Sequence, residues 1–152
     1  MAELPCRMRQ RSRGSVKKKI VLGVSGSIAA FKSAELASSL VQKGFDVNVV
    51  MTREAEEFIT PLTLKILSCN KVYRGMFDDT EAWDVEHVSL ADSCGLVLIA
   101  PATANCIGKL ASGICDDLLT CVVTATNAPV LLAPAMNDGM YQNKIVQANI
   151  EK

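Results

Sequence analysis

The side chains best suited to chemistry sit in a few short stretches. Gly23-Val24-Ser25-Gly26-Ser27 follows an apolar run and opens a helical one. A Gly/Ser loop at that position aims backbone N–H groups and a helix dipole at one point, which suits a phosphate. It reads equally as a plain turn. It matches neither G-x-G-x-x-G nor the P-loop G-x-x-x-x-G-K-[ST]. Pro101-Ala102-Thr103-Ala104-Asn105 and Pro134-Ala135-Met136-Asn137 each leave an apolar run through a stiffening proline. Each then offers an asparagine amide that can both donate and accept. The alternative is that Thr103 or Asn105 only N-caps the next helix. His87, the single histidine, has an ordinary pKa of about 6.5 and fits a general base or a structural residue. Asp116-Asp117 reads as a paired-carboxylate site, or as one capping acid beside one solvated acid, because adjacent helical side chains diverge.

The elements that must position these groups alternate between two periods. Ile20–Val24, 47–50, 96–99 and 130–132 are short, nearly continuous apolar runs, with a weaker fifth at 71–73. Such runs imply strands covered on both faces, as in a parallel sheet. Residues 28–43, 54–68 (broken at Pro61), 103–112, 116–126 and 138–152 carry helical spacing, with Gly44 and Gly113 as stops. The expected fold is a single-domain α/β protein: a doubly wound, open parallel sheet of the flavodoxin-like or Rossmann-like kind. Ligands then bind beyond the carboxyl ends of the strands. All the loops above share that edge and carry small, hydroxyl and carboxamide side chains with hardly any charge. The second strand ends in Met51-Thr52, without the acid that would hold a dinucleotide ribose. A mononucleotide such as FMN fits better than NAD.

Composition sets outer bounds. About half the residues are apolar and the net charge is zero. Residues 1–19 nevertheless hold seven of the sixteen basic side chains and one acid, so the remainder carries nine basic and fifteen acidic groups, a net of −6. The basic stretch 1–19 is expected to be a disordered tail. A basic tail can also touch nucleic acid or an anionic surface, but the acidic body argues against a nucleic-acid groove. No secretory h-region follows the tail, and no apolar run approaches the ~18 residues that span a bilayer. The six cysteines form no C-x-x-C pair, and with one histidine no metal site is expected. Reduced thiols in a cytoplasmic protein are the expectation.

Taken together, five stretches resemble the flavin-dependent cysteine decarboxylases, in particular the phosphopantothenoylcysteine decarboxylases of coenzyme A synthesis. They are Gly23–Ala30, His87-Val88-Ser89-Leu90, the PATAN run 101–105, Gly113–Thr120 and the PAMNDGMY run 134–141. The resemblance covers residues 20–152, which it makes an FMN-binding flavoprotein domain. It implies that Gly26, Ser27 and Ile28 hold the FMN phosphate. Thr52, with Arg53 and Glu54 beside it, and Thr103, Ala104, Asn105, Cys106 and Ala135 contact the cofactor. Asn137 binds the substrate carboxylate, Met140 lines the pocket and His87 is the catalytic base. Cys106 stands where bacterial relatives often have Thr. The implied substrate is 4'-phosphopantothenoylcysteine. Its thiol is oxidised to a thioaldehyde with FMN as oxidant, carbon dioxide leaves to give an enethiolate, and the electrons return as a flap cysteine supplies a proton. The family's flap cysteine lies beyond the segment that ends at Lys152, so the flap is expected to be missing. A homotrimer or a dodecamer of trimers is implied. An FMN-binding regulatory or non-catalytic relative, or a peptidyl-cysteine decarboxylase, are the alternatives.

Overall fold

The computed structural model describes residues 18–76 and 86–152, the side chains of Glu86 and His87 excepted. The expected tail lies almost wholly outside the described residues. Five strands, β1 (Lys19–Val24), β2 (Asp46–Met51), β3 (Val72–Tyr73), β4 (Leu96–Ala102) and β5 (Val130–Pro134), form one sheet in the order β3-β2-β1-β4-β5. Every pairing is parallel. This is the doubly wound open sheet expected, with the Rossmann order and its switch point between β1 and β4.

The apolar runs become strands because both sheet faces are covered. Ile20, Leu22, Val24, Val47, Val49 and Met51 point to one face and pack on Ala37, Val41 and Leu64. Those three lie on α1 (Lys32–Gln42) and α2 (Pro61–Ser68). Val21, Val50, Val97 and Ile99 point the other way, against Leu90, Ile107, Leu118, Leu119 and Val122. These belong to α3 (Glu86–Ser93), α4 (Ala104–Ala111) and α5 (Leu118–Ala125). A fully buried Leu or Val such as Leu22 or Val49 contributes about 1.5–3 kcal/mol. Gly44 and Gly113 adopt φ of 91° and 67° one residue past the C-caps of α1 and α4, Lys43 and Ser112. Phe45 N–H then donates to Leu40 O (3.1 Å), and Ile114 N–H to Lys109 O (2.9 Å), closing both helices as Schellman motifs.

Several boundaries differ from expectation. The helical stretch 28–43 begins as a 3-10 turn, Ile28–Phe31, because the Ser27 hydroxyl accepts from Ala29 N–H. Pro61 divides 54–68 as expected, into a 3-10 turn Arg53–Glu57 and α2, which Thr60 caps. Residues 138–152 form two short helices, α6 (Asp138–Tyr141) and α7 (Lys144–Ile150), each with its own asparagine cap. α3 was not expected, since its sequence reads as a lead into β4. β5 is a sheet edge with Val130 and Leu131 exposed, so the both-faces rule fails there.

Candidate active site

The loops after β1, β2, β4 and β5 meet around a cleft of about 420 Å³ at the carboxyl edge of the sheet. Gly26, Ser27 and Ile28 form one wall. Among the described residues, no group accepts from their backbone N–H groups. Gly26 is pressed against the segment after β2: a Cβ there would stand 2.4 Å from Glu54 Cβ and 2.9 Å from Glu54 carbonyl carbon. Only a residue without a side chain lets the two segments touch. Free N–H groups at the start of a helical segment, with no side chain in front of them, form a cradle suited to a phosphate.

Thr52 forms the adjoining wall. It is 7% exposed, and its Oγ1 has no hydrogen-bond partner among the described residues. A buried hydroxyl left unsatisfied costs about 1–3 kcal/mol. In a cleft, that cost is removed by a polar ligand. The orphaned hydroxyl and the free amides together fit a phosphorylated, hydrogen-bonding group of mononucleotide size.

The third wall is the turn from β4 into α4, with Thr103, Ala104, Asn105 and Cys106. Thr103 does act as the N-cap, its Oγ1 accepting from Cys106 N–H at 3.3 Å. Ala135, Met136 and Met140 close the cleft from the β5 side, and Ala135 N–H donates to Ala102 O at 3.0 Å. Thus every residue expected at a cofactor lines the cleft except Arg53, which is exposed at the start of the 3-10 turn. Asn137 does not line it either. It is exposed between Met136 and Met140, and its Oδ1 caps α6 by accepting from Gly139 N–H at 2.9 Å. His87 lies in the first turn of α3, its side chain outside the described residues.

Phe58 and Lys109 line the cleft without having been singled out as site residues, and Ser25, Met136 and Asp117, which lie in the stretches singled out but were given no cofactor role, line it too. The expectation of an almost uncharged edge is corrected, since Glu54, Lys109 and Asp117 all face the cleft. Lys109 follows Cys106 by three residues and so shares its helix face, a signal that could have found it. Its ammonium pairs with Asp116 at 2.8 Å and Asp117 at 3.2 Å. The Asp116 bond, foremost, raises the pKa of Lys109, and the same bond lowers that of Asp116. Asp117 is the capping acid of the pair: it closes a capping box with Thr120 at the start of α5. Asp116 is exposed but paired rather than merely solvated. Burial, reinforced by the Asp117 charge, pushes the Cys106 thiol up to about 11, so this cysteine meets the cleft as a neutral thiol. Among the described residues, no cluster of three or more His, Cys, Asp or Glu could hold a metal.

A family model described as "Flavoprotein" matches residues 8–152. The coenzyme A biosynthesis bifunctional protein CoaBC of Vibrio cholerae is 49% identical over 134 residues, which are 88% of this chain and 34% of that protein. The chain thus spans about a third of the bifunctional relatives it matches. A probable phosphopantothenoylcysteine decarboxylase of Streptococcus mutans is 47% identical over 135 residues, 88% of this chain and 75% of the relative. Among solved structures, the FMN-dependent cysteine decarboxylase TvaF from thioviridamide biosynthesis superposes with a TM-score of 0.82 at 32% identity, covering 90% of this chain and 84% of that one. With the family match, the relatives and the fold in agreement, this chain belongs to the flavoprotein family, on its phosphopantothenoylcysteine decarboxylase branch.

Proposed function

We propose that this chain is the FMN-binding decarboxylase unit that converts 4'-phosphopantothenoylcysteine to 4'-phosphopantetheine in coenzyme A synthesis. The observation that carries the reading is the cleft, with free amides at Gly26–Ile28 facing the orphaned Thr52 hydroxyl. The relatives support the substrate class. Identity is 47–49% to proteins named for phosphopantothenoylcysteine and coenzyme A chemistry.

When bound, FMN supplies the two-electron redox chemistry that lets a cysteine lose its carboxylate. The residues of this chain bind the flavin, hold the substrate carboxylate and take the thiol proton. The Gly26, Ser27 and Ile28 amides hold the FMN phosphate, and Thr52 Oγ1 gains a partner. Thr103, Ala104, Asn105, Cys106 and Ala135 lie along the flavin, with Glu54 beside the phosphate loop. His87 takes the proton from the substrate thiol. Asn137 donates its amide to the substrate carboxylate and holds it until carbon dioxide leaves. Met136 and Met140 keep that end of the cleft apolar, which strengthens the polar contacts by excluding water.

We further propose a homotrimer or larger assembly of trimers in the cytoplasm. Phe58, Leu62 and Ile66 recur at four-residue spacing and are 49%, 64% and 48% exposed, beside Ile28 at 79%. Exposed apolar side chains of this kind support association. The five described cysteines are all free thiols, which fits a reducing compartment. Among the described residues, no helix is long and apolar enough to cross a membrane.

The deciding experiment is to titrate the purified protein with FMN, then mix the loaded protein with 4'-phosphopantothenoylcysteine without oxygen. FMN is expected to bind with its fluorescence quenched, and carbon dioxide to be released with bleaching of the flavin. A protein that takes up no FMN, or a loaded protein that leaves the substrate intact, removes this reading.

A further inference from the structure

We propose that Ser25 is a positioning residue that sets the separation of the two main-chain walls of the cleft, the Gly26–Ile28 loop and the Thr103–Asn105 turn. The inference rests on the cofactor reading above and adds a residue to it.

The register between β1 and β4 runs from Ile20↔Leu96 to Gly23↔Ile99. Beyond that pair the sheet ladder no longer ties the strands, yet both walls of the cleft lie beyond it. Ser25 supplies the connection. Its N–H donates to Pro101 O at 3.3 Å. Its hydroxyl donates to the same oxygen at 2.7 Å and accepts from Thr103 N–H at 3.0 Å. The side chain is 2% exposed, so water does not compete for these bonds. One hydroxyl therefore uses its donor and an acceptor site on two backbone groups of the opposite wall. Gly26, the first residue of the amide cradle, is its direct neighbour. Thr103 in turn caps α4 through Cys106 N–H. Fixing both walls before the ligand arrives removes part of the ordering cost of binding.

Ser33 is a built-in comparison. Its hydroxyl is equally buried, at 1% exposure, and donates to Ala100 O at 2.7 Å. It ties the end of β4 to α1, but it neither lines the cleft nor holds Thr103. Ser25→Ala and Ser33→Ala each delete one buried hydroxyl that donates to a carbonyl near the carboxyl end of β4, and only the first frees a wall of the cleft.

The test measures three quantities for both variants: the FMN dissociation constant, the visible spectrum of the bound flavin, and the thermal midpoint of the FMN-free protein. Both midpoints are expected to fall by comparable amounts. Ser25→Ala is expected to weaken FMN by about tenfold or more, since Thr103 N–H loses its acceptor, and to shift the flavin band. Ser33→Ala is expected to keep the dissociation constant within about twofold and the band unchanged. A Ser25→Ala protein with wild-type affinity and spectrum overturns the proposal. So do two variants that lose affinity only in proportion to their midpoints. Should Ser25→Ala fail to fold, hydrogen exchange of the Thr103 amide in the FMN-free wild type decides. Slow exchange supports the tie, and exchange at the rate of an exposed loop amide overturns it. A wild type that binds no FMN defeats the functional reading instead, and the Thr103 exchange rate still judges Ser25.

Discussion

Replacing Gly26 with alanine should weaken FMN binding by roughly 5- to 150-fold while leaving the sheet intact. The added Cβ would stand 2.4 Å from Glu54 Cβ, 2.9 Å from its carbonyl carbon and 3.0 Å from its oxygen. Carbon atoms in good contact are about 3.5–4.0 Å apart, so the loop or the Glu54 segment must retreat by about 1 Å. Gly26 is not among the positive-φ glycines, so the damage is contact rather than backbone strain. Overpacking of this size costs about 1–3 kcal/mol. At about 1.4 kcal/mol per tenfold change, that gives the stated range if the loop bears the displacement, as its partial exposure allows. The assay is fluorescence titration with FMN on Gly26→Ala, Glu54→Gly and the double variant. Glu54→Gly removes the 2.4 Å contact and leaves the two backbone ones, so the double variant should recover part of the loss beyond additivity. Gly44→Ala, which meets no atom within 4 Å but has φ of 91°, should lower stability without touching affinity. Wild-type affinity in Gly26→Ala, or full additivity in the cycle, would refute the steric argument.

His87→Asn should abolish carbon dioxide release while FMN still binds, and retained turnover removes His87 as the base. Asn137→Asp should keep the α6 cap, since a carboxylate oxygen accepts from Gly139 N–H as the amide does. It should nevertheless lose decarboxylation by repelling the substrate carboxylate, checked by comparing thermal midpoints with turnover. The folded pKa of Cys106, about 11, lies above the ordinary 9.0, so the unfolded chain loses that proton first as pH rises. Its contribution is complete below about pH 9 and falls away by on the order of 2 kcal/mol towards pH 11. Urea unfolding across that window should show a shallower decline for Cys106→Ala. Asp117→Ala removes both the bond from Thr120 N–H (2.8 Å) and the Lys109 pairing and should cost about 0.5–2 kcal/mol. Asp117→Asn keeps the cap and should cost less, measured by the same unfolding.

The sequence by itself determined the elements whose signal is local. Ile20–Val24, 47–50 and 96–99 read as buried strands because parallel strands covered on both faces are apolar at nearly every position, Asn48 being the exception. Gly44 and Gly113 read as helix stops because a left-handed turn favours the residue without a Cβ. The PATAN and PAMN runs were legible as lying at strand ends for the same local reason, proline followed by small polar residues, although β4 runs on through Pro101 to Ala102 and β5 to Pro134. What the sequence could not decide depends on which segments meet. Lys109 reaches Asp116 and Asp117 across the α4–α5 turn, so the charge of the cleft emerges only when those helices are placed. Ser25 reads as one more loop serine until β1 and β4 lie side by side and its hydroxyl finds Pro101 and Thr103 at 2.7 and 3.0 Å. Thr52 becomes a buried wall of the cleft only when β2 lies beside β1, with its N–H on Val24 O. Val130 and Leu131 are as apolar as the central strands, yet lie exposed because position in the sheet, not composition, decides which strand is covered. Periodicity specifies what a segment can become, whereas partners far apart in the chain are chosen by crossover and register, which carry no local signature.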